Sequence, residues 1–430
     1  MRKVGIAILG LGTVGFGTYQ ILTNNKEYMQ KTQKLDFTVD SILEINKERL
    51  KKCNIDQSVA CTKIEEIASN PNIDIVVETI GGIEPAKTFI KACLSSGKTV
   101  VTANKELISK YWHELEEVAK KHHSGLYFEA SCVGGVPVIR TLIDSVQANK
   151  ILSIKGIING TTNYILSKMS NEGMSYEDVL AEAQKLGYAE ANPTADVEGY
   201  DAMYKLSILT SLGFAKKISI ENIYREGITN IDNIDIAYGK ELGLTLKLLA
   251  IGKNIDNKIE VRVHPTFIKS SHPLANVSGS YNAVYIVGDN VDDIMLYGKG
   301  AGALPTGSAI VSDIVYAAQK FDNHAHYYVP FTNNAVSEQT TKFITDFISD
   351  YYIRLTVLDK AGTLAKIAGI FGKYNVSIND VIQKNNNEDQ VPIIFITHRT
   401  HEKALNQAIE ELKKLEDIKQ VNAIIRVEKE

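Results

Sequence analysis

The sequence predicts an α/β protein in three parts: an N-terminal doubly wound parallel sheet over residues 1–130, a mixed α+β region over 131–330, and a C-terminal ferredoxin-like βαββαβ module over 350–430. Three observations carry this. An apolar run at the start of the chain ends in a glycine turn that continues as a helix. Strand-like and helical segments then alternate as far as residue 130. Residues 350–430 read as strand, helix, strand, strand, helix, strand.

Taken in order, residues 3–15 are KVGIAILGLGTVG. A Val- and Ile-rich strand meets Gly10-Leu11-Gly12-Thr13-Val14-Gly15, and FGTYQILTN continues as a helix. Gly10 allows the turn, Gly12 lets a backbone approach a pyrophosphate, and Gly15 lets helix and strand pack closely. The helix N-terminus faces the phosphates with free N–H groups and its positive dipole end. In this context the loop reads as a Rossmann-type dinucleotide site. DFTVDSIL (36–43), IDIVVETI (73–80), a helix over 85–96, KTVVTA (98–103), a helix near 112–121 and LYFEA (126–130) complete the first part.

Glu44 closes the second strand. An acid there accepts bonds from the adenosine ribose hydroxyls and repels a 2′-phosphate, so the expectation leans to NAD over NADP. It comes later than the usual offset because of the polar insertion NNKEYMQKTQK (24–34). Arg49 and Lys51 nearby offer a phosphate alternative partners.

The second part holds β-rich stretches at 151–158, 259–268 and 283–288. Ser175 with Asp178 reads as a capping box, and Gly187 stops the same helix. The glycine cluster GKGAGALPTG (298–307) reads equally as a phosphate cradle or as a turn that packs on the first domain. In the third part, YYIRLTVL, the turn Asp359-Lys360-Ala361-Gly362, and Leu364, Ile367, Ala368 and Phe371 at helical spacing open the βαββαβ order. The polar stretch TNNAVSEQTT (332–341) marks the boundary.

The densest chemistry lies in GYAEANPTADVEGYDAMYK (187–205), which gathers Glu190, Asp196, Glu198, Asp201 and Lys205. Asp201 and Lys205, four apart, share one helix face. LSILTSLGF follows and requires burial, so Lys205 is partly desolvated, which suits a proton donor and acceptor. The same pair on a solvated face would be an ordinary ion pair.

Composition bounds the class. The 430 residues are 44% hydrophobic and 23% charged, enough for two or three domains. A net charge of −4 provides no basic footprint for nucleic acid. The four cysteines (Cys53, Cys61, Cys93, Cys132) have no CxxC or zinc spacing, which suits a reducing, cytoplasmic compartment. Met1-Arg2-Lys3 before a short apolar run superficially mimics a secretory leader, but a nucleotide turn follows directly. No segment reaches the roughly 20 apolar residues that cross a bilayer.

With these motifs in hand, the chain resembles the homoserine dehydrogenases that carry a C-terminal ACT domain. The resemblance covers nearly all of it. It rests on GLGTVG, ETIGG (78–82), TANK (102–105), EASCVGGVP (129–137), NGTTNYI (159–165), the block at 187–205, GAGALPTGSAIVSDI (300–314) and DKAGTLAKIAGIF (359–371). It implies interconversion of L-homoserine and L-aspartate 4-semialdehyde with NAD or NADP, on the route to threonine and methionine. It further implies Lys205 as the acid/base, Lys105 at the end of the TANK strand as a second catalytic lysine, and Asp201 orienting Lys205 or binding the substrate ammonium with Glu190 and Asp196. Gly10, Gly12, Thr13, Val14, Gly15, Glu44, Thr79 and Lys105 would hold the cofactor.

Sodium would sit on the Glu129 carboxylate and the carbonyls of Cys132, Gly134 and Val136. An amino-acid effector, threonine, would bind near Asp359, Gly362 and Leu364, with Asn379 and Asp380 at an interface of a homo-oligomer, dimer or tetramer. Where the family often has an arginine near position 44, this chain has an acid. Two alternatives stand beside this reading. Ala-Ser-Cys132 resembles the thiol loop of aspartate-semialdehyde dehydrogenases, with His264, His272, His324 or His326 as partner. The chain would otherwise be an amino-acid sensor with a decayed dehydrogenase core.

Overall fold

The computed structural model describes residues 2–320, 341–384 and 389–429. The expected linker at 332–341, apart from Thr341, and His324 and His326 lie outside the described residues. The N-terminal sheet is parallel in the order β3-β2-β1-β4-β5-β6, with β1 Arg2–Leu9, β2 Leu35–Leu43, β3 Ala60–Cys61, β4 Ile75–Glu78, β5 Thr99–Thr102 and β6 Leu126–Tyr127. Strand order reverses between β1 and β4, so a crevice opens at the carboxyl ends of those strands. In β1 the residues Ile6, Ala7, Ile8 and Leu9 are all buried, as expected of a strand covered by helices on both faces. The polar insertion after the first helix, Thr13–Asn24, forms a helix of its own, Lys26–Gln33.

The second sheet runs β12-β11-β7-β9-β10-β18-β14-β16-β15 and contains 12 strands with its short side strands β8 Tyr224–Arg225, β13 Lys342–Phe343 and β17 Thr400–His401. Its main strands are β7 Ile151–Ile157, β9 Leu244–Ile255, β10 Lys258–Lys269, β11 Tyr281–Gly288, β12 Asp292–Lys299, β14 Ile348–Leu358, β15 Ile378–Gln383, β16 Gln390–Thr397 and β18 Ile418–Glu428. β9 and β10 form a long hairpin whose two turn residues, Asp256 and Asn257, both have positive φ (50° and 64°), the type I′ signature.

The C-terminal module has the expected βαββαβ order, with helices Thr363–Lys373 and Glu402–Leu412. It has a core of its own, around Ile353, Phe371, Phe395 and Leu405, but its sheet continues into the second part. β18 runs parallel to β10 in the register Thr266–Arg426, Phe267–Val427 and Ile268–Glu428, so one sheet crosses both parts. Buried charge closes the seam: Glu428 accepts from Lys253 at 2.7 Å and Arg262 at 3.1 Å and pairs with Lys155 at 3.3 Å.

The helix Tyr200–Phe214 is buried on nearly every face. Its all-round apolar sequence requires such a site. The helix Ala303–Lys320 returns to the nucleotide domain, where the Ala303 carbonyl presses on Gly17 and the Gly17–Thr18 backbone on Gly307. Within residues 298–307, Ala303 and Gly307 pack on the first domain, as one of the two readings has it, while Lys299–Gly302 lines a cavity. The Ser175 cap is made, its hydroxyl accepting from Asp178 N–H at 3.1 Å, and Gly187 stands at φ 76° beyond that helix.

Candidate active site

Two cavities hold most of the predicted cofactor and substrate residues. The first, about 480 Å³, is lined by Gly10, Gly12, Glu44, Arg49, Thr79 and Ile80 among others. Gly10 has φ 85° and makes the turn. A Cβ on Gly12 would meet no atom within 4 Å, so its backbone faces open space on the ligand side. A Cβ on Gly15 would overlap the Gly10 carbonyl oxygen, which is why helix and strand can meet there. Thr13 and Val14 begin the helix. The Thr79 hydroxyl donates to the Gly10 carbonyl at 2.8 Å and pins the loop to β4.

Glu44 lines the same cavity, but its carboxylate is already engaged. It is 6% exposed and accepts from Leu11 N–H at 3.0 Å and Asn46 N–H at 2.9 Å, with the Arg49 guanidinium at 3.5 Å. It therefore secures the glycine loop as well as facing the cavity. Arg49, half exposed, brings a positive charge to the same place.

The second cavity, about 410 Å³, is lined by Lys105, Asn159, Thr161, Tyr188, Glu190, Asp196, Asp201, Lys205, Asn282 and the loop Lys299–Gly302. Gly199, at φ 80°, starts the helix that carries Asp201 and Lys205 into it. Asp201 Oδ2 accepts from Lys205 Nζ at 2.7 Å and Asn159 Nδ2 at 2.9 Å, while Oδ1 pairs with Lys105 Nζ at 3.0 Å. Burial works to raise the Asp201 pKa, but the two lysines and these bonds outweigh it and hold the carboxyl well below the usual range. Lys205 is 9% exposed and also donates to the Ile158 carbonyl at 2.8 Å, leaving one N–H for a ligand.

The Asp201 charge, against the effect of burial, holds the Lys105 ammonium above the usual lysine range. Asp196, half-buried, is shifted up by burial and by repulsion from Asp201, and its Oδ1 accepts from Asn159 Nδ2 at 2.7 Å. Glu190 is exposed at the rim.

Lys105 does not end a strand. It is the first residue of a helix, Lys105–Lys121, capped by the Asn104 carboxamide, which accepts from Leu107 N–H at 3.1 Å. Buried Glu78 anchors this corner, accepting from Thr102 Oγ1 at 2.5 Å and from Ile80 and Gly81 N–H. Its carboxyl is pushed up by burial. LYFEA likewise is a strand only over Leu126–Tyr127, followed by a turn of 3₁₀-helix at Glu129–Ser131.

Glu129 is buried, and its oxygens accept from Ile139 N–H at 2.9 Å and Arg140 N–H at 2.7 Å. Burial and nearby Asp313 push its carboxyl up to about 7. Asp313, itself pushed up to about 6 by burial, accepts from Glu129 N–H and pairs with Arg140. Val138 N–H bonds the Val136 carbonyl at 2.8 Å. Among the described residues no three His, Cys, Asp or Glu side chains cluster as a metal site, so a cation here would rely on backbone carbonyls.

Cys132 is the wrong thiol for covalent catalysis. It is fully buried, burial pushes its pKa up to about 12, and its Sγ lies 3.8 Å from the Lys205 carbonyl. His264 is bonded instead to Arg262, Pro265 and Thr266. In the C-terminal module Gly362, at φ 92°, starts a helix, Leu364 is exposed beside it, and Asp359 precedes the turn.

Three polar residues of the site escape a reading by residue type: Asn159, Asp313 and Glu78. Each lies inside one of the motifs quoted above, which was the available signal.

A dinucleotide loop on one cavity and two lysines on one carboxylate in another together define a nicotinamide-dependent oxidoreductase acting on a small charged substrate. Comparison with known proteins narrows this. Residues 10–129 match the family model described as homoserine dehydrogenase, NAD binding domain, residues 137–315 that of homoserine dehydrogenase, and 351–417 the ACT domain. A homoserine dehydrogenase of Bacillus subtilis is 36% identical across 100% of this chain and 99% of its own, and one of Neisseria gonorrhoeae is 40% identical over the same shares. The crystal structure of a homoserine dehydrogenase from Thiobacillus denitrificans superposes with a TM-score of 0.93 at 38% identity, covering 100% of this chain and 99% of that one. The chain belongs to the homoserine dehydrogenase family, as a member with a C-terminal ACT domain. A hyperthermophilic archaeal homoserine dehydrogenase solved with NADPH matches 74% of this chain with a TM-score of 0.63 and 29% identity.

Proposed function

We propose that Lys205 carries the proton in the interconversion of L-homoserine and L-aspartate 4-semialdehyde, that Lys105 flanks the reacting oxygen, and that Asp196, Asp201 and Glu190 receive the substrate ammonium. The observation that carries this reading is Asp201 bridging Lys105 and Lys205 in the second cavity. The chemistry a nicotinamide supplies there is hydride acceptance and return. In oxidation, the hydroxyl proton passes to Lys205 as the carbinol carbon gives up hydride. In reduction, the same ammonium protonates the developing alkoxide. Asp201, below its ordinary range, stays charged and keeps both lysines placed.

NAD is the preferred cofactor and NADP is also accepted: Glu44 in the nucleotide cavity favours the first, and Arg49 beside it makes room for the second. Sodium belongs to Glu129 with the carbonyls of Cys132, Gly134 and Val136. A cation there would offset the carboxylate charge that burial and Asp313 disfavour, and would fix the loop joining the two domains. Threonine acts through the ACT domain near Asp359, Gly362 and Leu364, with a coupling of about 1–3 kcal/mol typical of such effectors. The β10–β18 seam and the Arg426–Glu226 pair, at 3.0 Å, join that domain to the substrate region. A homo-oligomer in the cytoplasm completes the reading. Among the described residues no helix is long and apolar enough to cross a membrane.

The test is nicotinamide absorbance with L-homoserine and either cofactor, with and without threonine. Faster reduction of NAD, slowed by threonine, supports the proposal. Exclusive use of NADP contradicts the cofactor assignment, and indifference to threonine contradicts the regulation.

A further inference from the structure

We infer that Asn159 is a positioning residue that fixes the spacing of Asp196 and Asp201, and thereby sets how tightly the amino group of the substrate is held. This rests on the reading of those two carboxylates as the ammonium site.

Asn159 follows β7 and is 5% exposed. Its Nδ2 donates to Asp196 Oδ1 at 2.7 Å and to Asp201 Oδ2 at 2.9 Å, so one amide nitrogen spans both acids. Its Oδ1 accepts from Thr162 N–H at 2.8 Å and Thr162 Oγ1 at 3.0 Å. The orientation is therefore dictated by its partners: turned over, the amide would aim its oxygen at two carboxylates and its N–H groups at a donor.

The two acids sit on separate helices joined by a glycine turn. Asp196 lies in the short helix Thr194–Val197, Asp201 in the next one, and Gly199 at φ 80° turns the chain between them. Asp201 has two lysines to hold it, whereas Asp196 is tied through Asn159 to the start of the helix Gly160–Glu172. Asp201 and Asp196 repel each other, the two lysines offset part of that repulsion, and the neutral double donor Asn159 ties the acids together without adding a third cation.

The groups facing this pair are Lys105 from its helix, Lys205 beside Asp201, Glu190 from the loop before Thr194, and Lys299 at the end of β12. Burial and Asp201 raise Asp196, and the Asn159 bond lowers it. Removing that bond leaves Asp196 protonated to higher pH, which moves the acidic limb of kcat/KM upward.

Asn159→Ser tests this, because serine keeps the acceptor for the Thr162 N–H but has no second donor to span the acids. Hydrogen bonds to charged groups are worth enough that KM for homoserine should rise about tenfold or more, with kcat falling much less. Cofactor affinity should stay unchanged, and the acidic limb of kcat/KM should shift to higher pH. Unchanged KM and pH profile, with only a lower melting temperature, would show a helix cap and overturn the inference. Asn159→Thr, which also caps, carries the same test should serine destabilise the fold. Asp196→Asn separates the two claims. If it leaves KM intact, the ammonium-site reading fails. If it raises KM while Asn159→Ser does not, the inference about Asn159 fails alone.

Discussion

Replacing Glu428 with glutamine probes the joint between the ACT domain and the substrate region. This carboxylate, 7% exposed, meets Lys253 at 2.7 Å, Arg262 at 3.1 Å and Lys155 at 3.3 Å. Burial disfavours its charge, but these cations hold its pKa down to about 2. Glutamine preserves the shape and removes the charge. Arg262, 1% exposed, keeps Glu260 at 2.8 Å, and burial already lowers the Lys155 pKa. Breaking a buried pair usually costs about 3–5 kcal/mol, and these two reliefs place the expected loss near the lower end, about 3 kcal/mol.

That corresponds to a fall of about 5–10 °C in the melting transition of the unit that contains this sheet. The pH dependence has a definite sign. A carboxyl whose folded pKa is depressed contributes stability above its ordinary value of 4.5, and that contribution is lost as pH falls toward about 2. The gap between wild type and Glu428→Gln should be full at neutral pH and close in acid. Calorimetric scans across that range test it. Melting temperatures within about 1 °C at pH 7, or a gap that persists in acid, would refute the reasoning.

Other outcomes follow from the same geometry. Glu44→Arg should raise the NADP-to-NAD ratio of kcat/KM while raising KM for both, because it also removes the acceptor for Leu11 N–H; an unchanged ratio in steady-state kinetics would contradict this. Gly15→Ala forces a Cβ into the Gly10 carbonyl and should cost about 1–3 kcal/mol together with much of the cofactor affinity, read by denaturant titration and nucleotide fluorescence. Iodoacetamide at neutral pH should leave turnover intact, since the Cys132 thiol is buried and its pKa lies at about 12; inactivation prevented by substrate would revive thiol chemistry.

Legibility differed by region for physical reasons. The glycine loop, the alternating N-terminal elements and the βαββαβ order were readable because each is a local pattern of period and turn chemistry. The Asp201–Lys205 pair was readable because helical spacing alone brings it together. The start of the helix at Lys105 was obscured because the apolar strand before it masks the Asn104 cap. The dual engagement of Glu44 depends on Leu11 N–H, 33 residues away. Asn159 joins residues 37 and 42 positions ahead, a relation that periodicity cannot express. The shared sheet was hidden for the same reason: nothing local in β18 announces that its end pairs with β10.

The central claim is that Lys205, placed by Asp201 and the Ile158 carbonyl, moves the proton. The most direct measurement is homoserine-dependent nicotinamide reduction by Lys205→Ala, beside its cofactor affinity. Loss of general acid/base help predicts a fall of about 10²–10⁴-fold in kcat, equal to roughly 3–5 kcal/mol, with cofactor binding unchanged. Turnover within a few-fold of wild type would contradict the account.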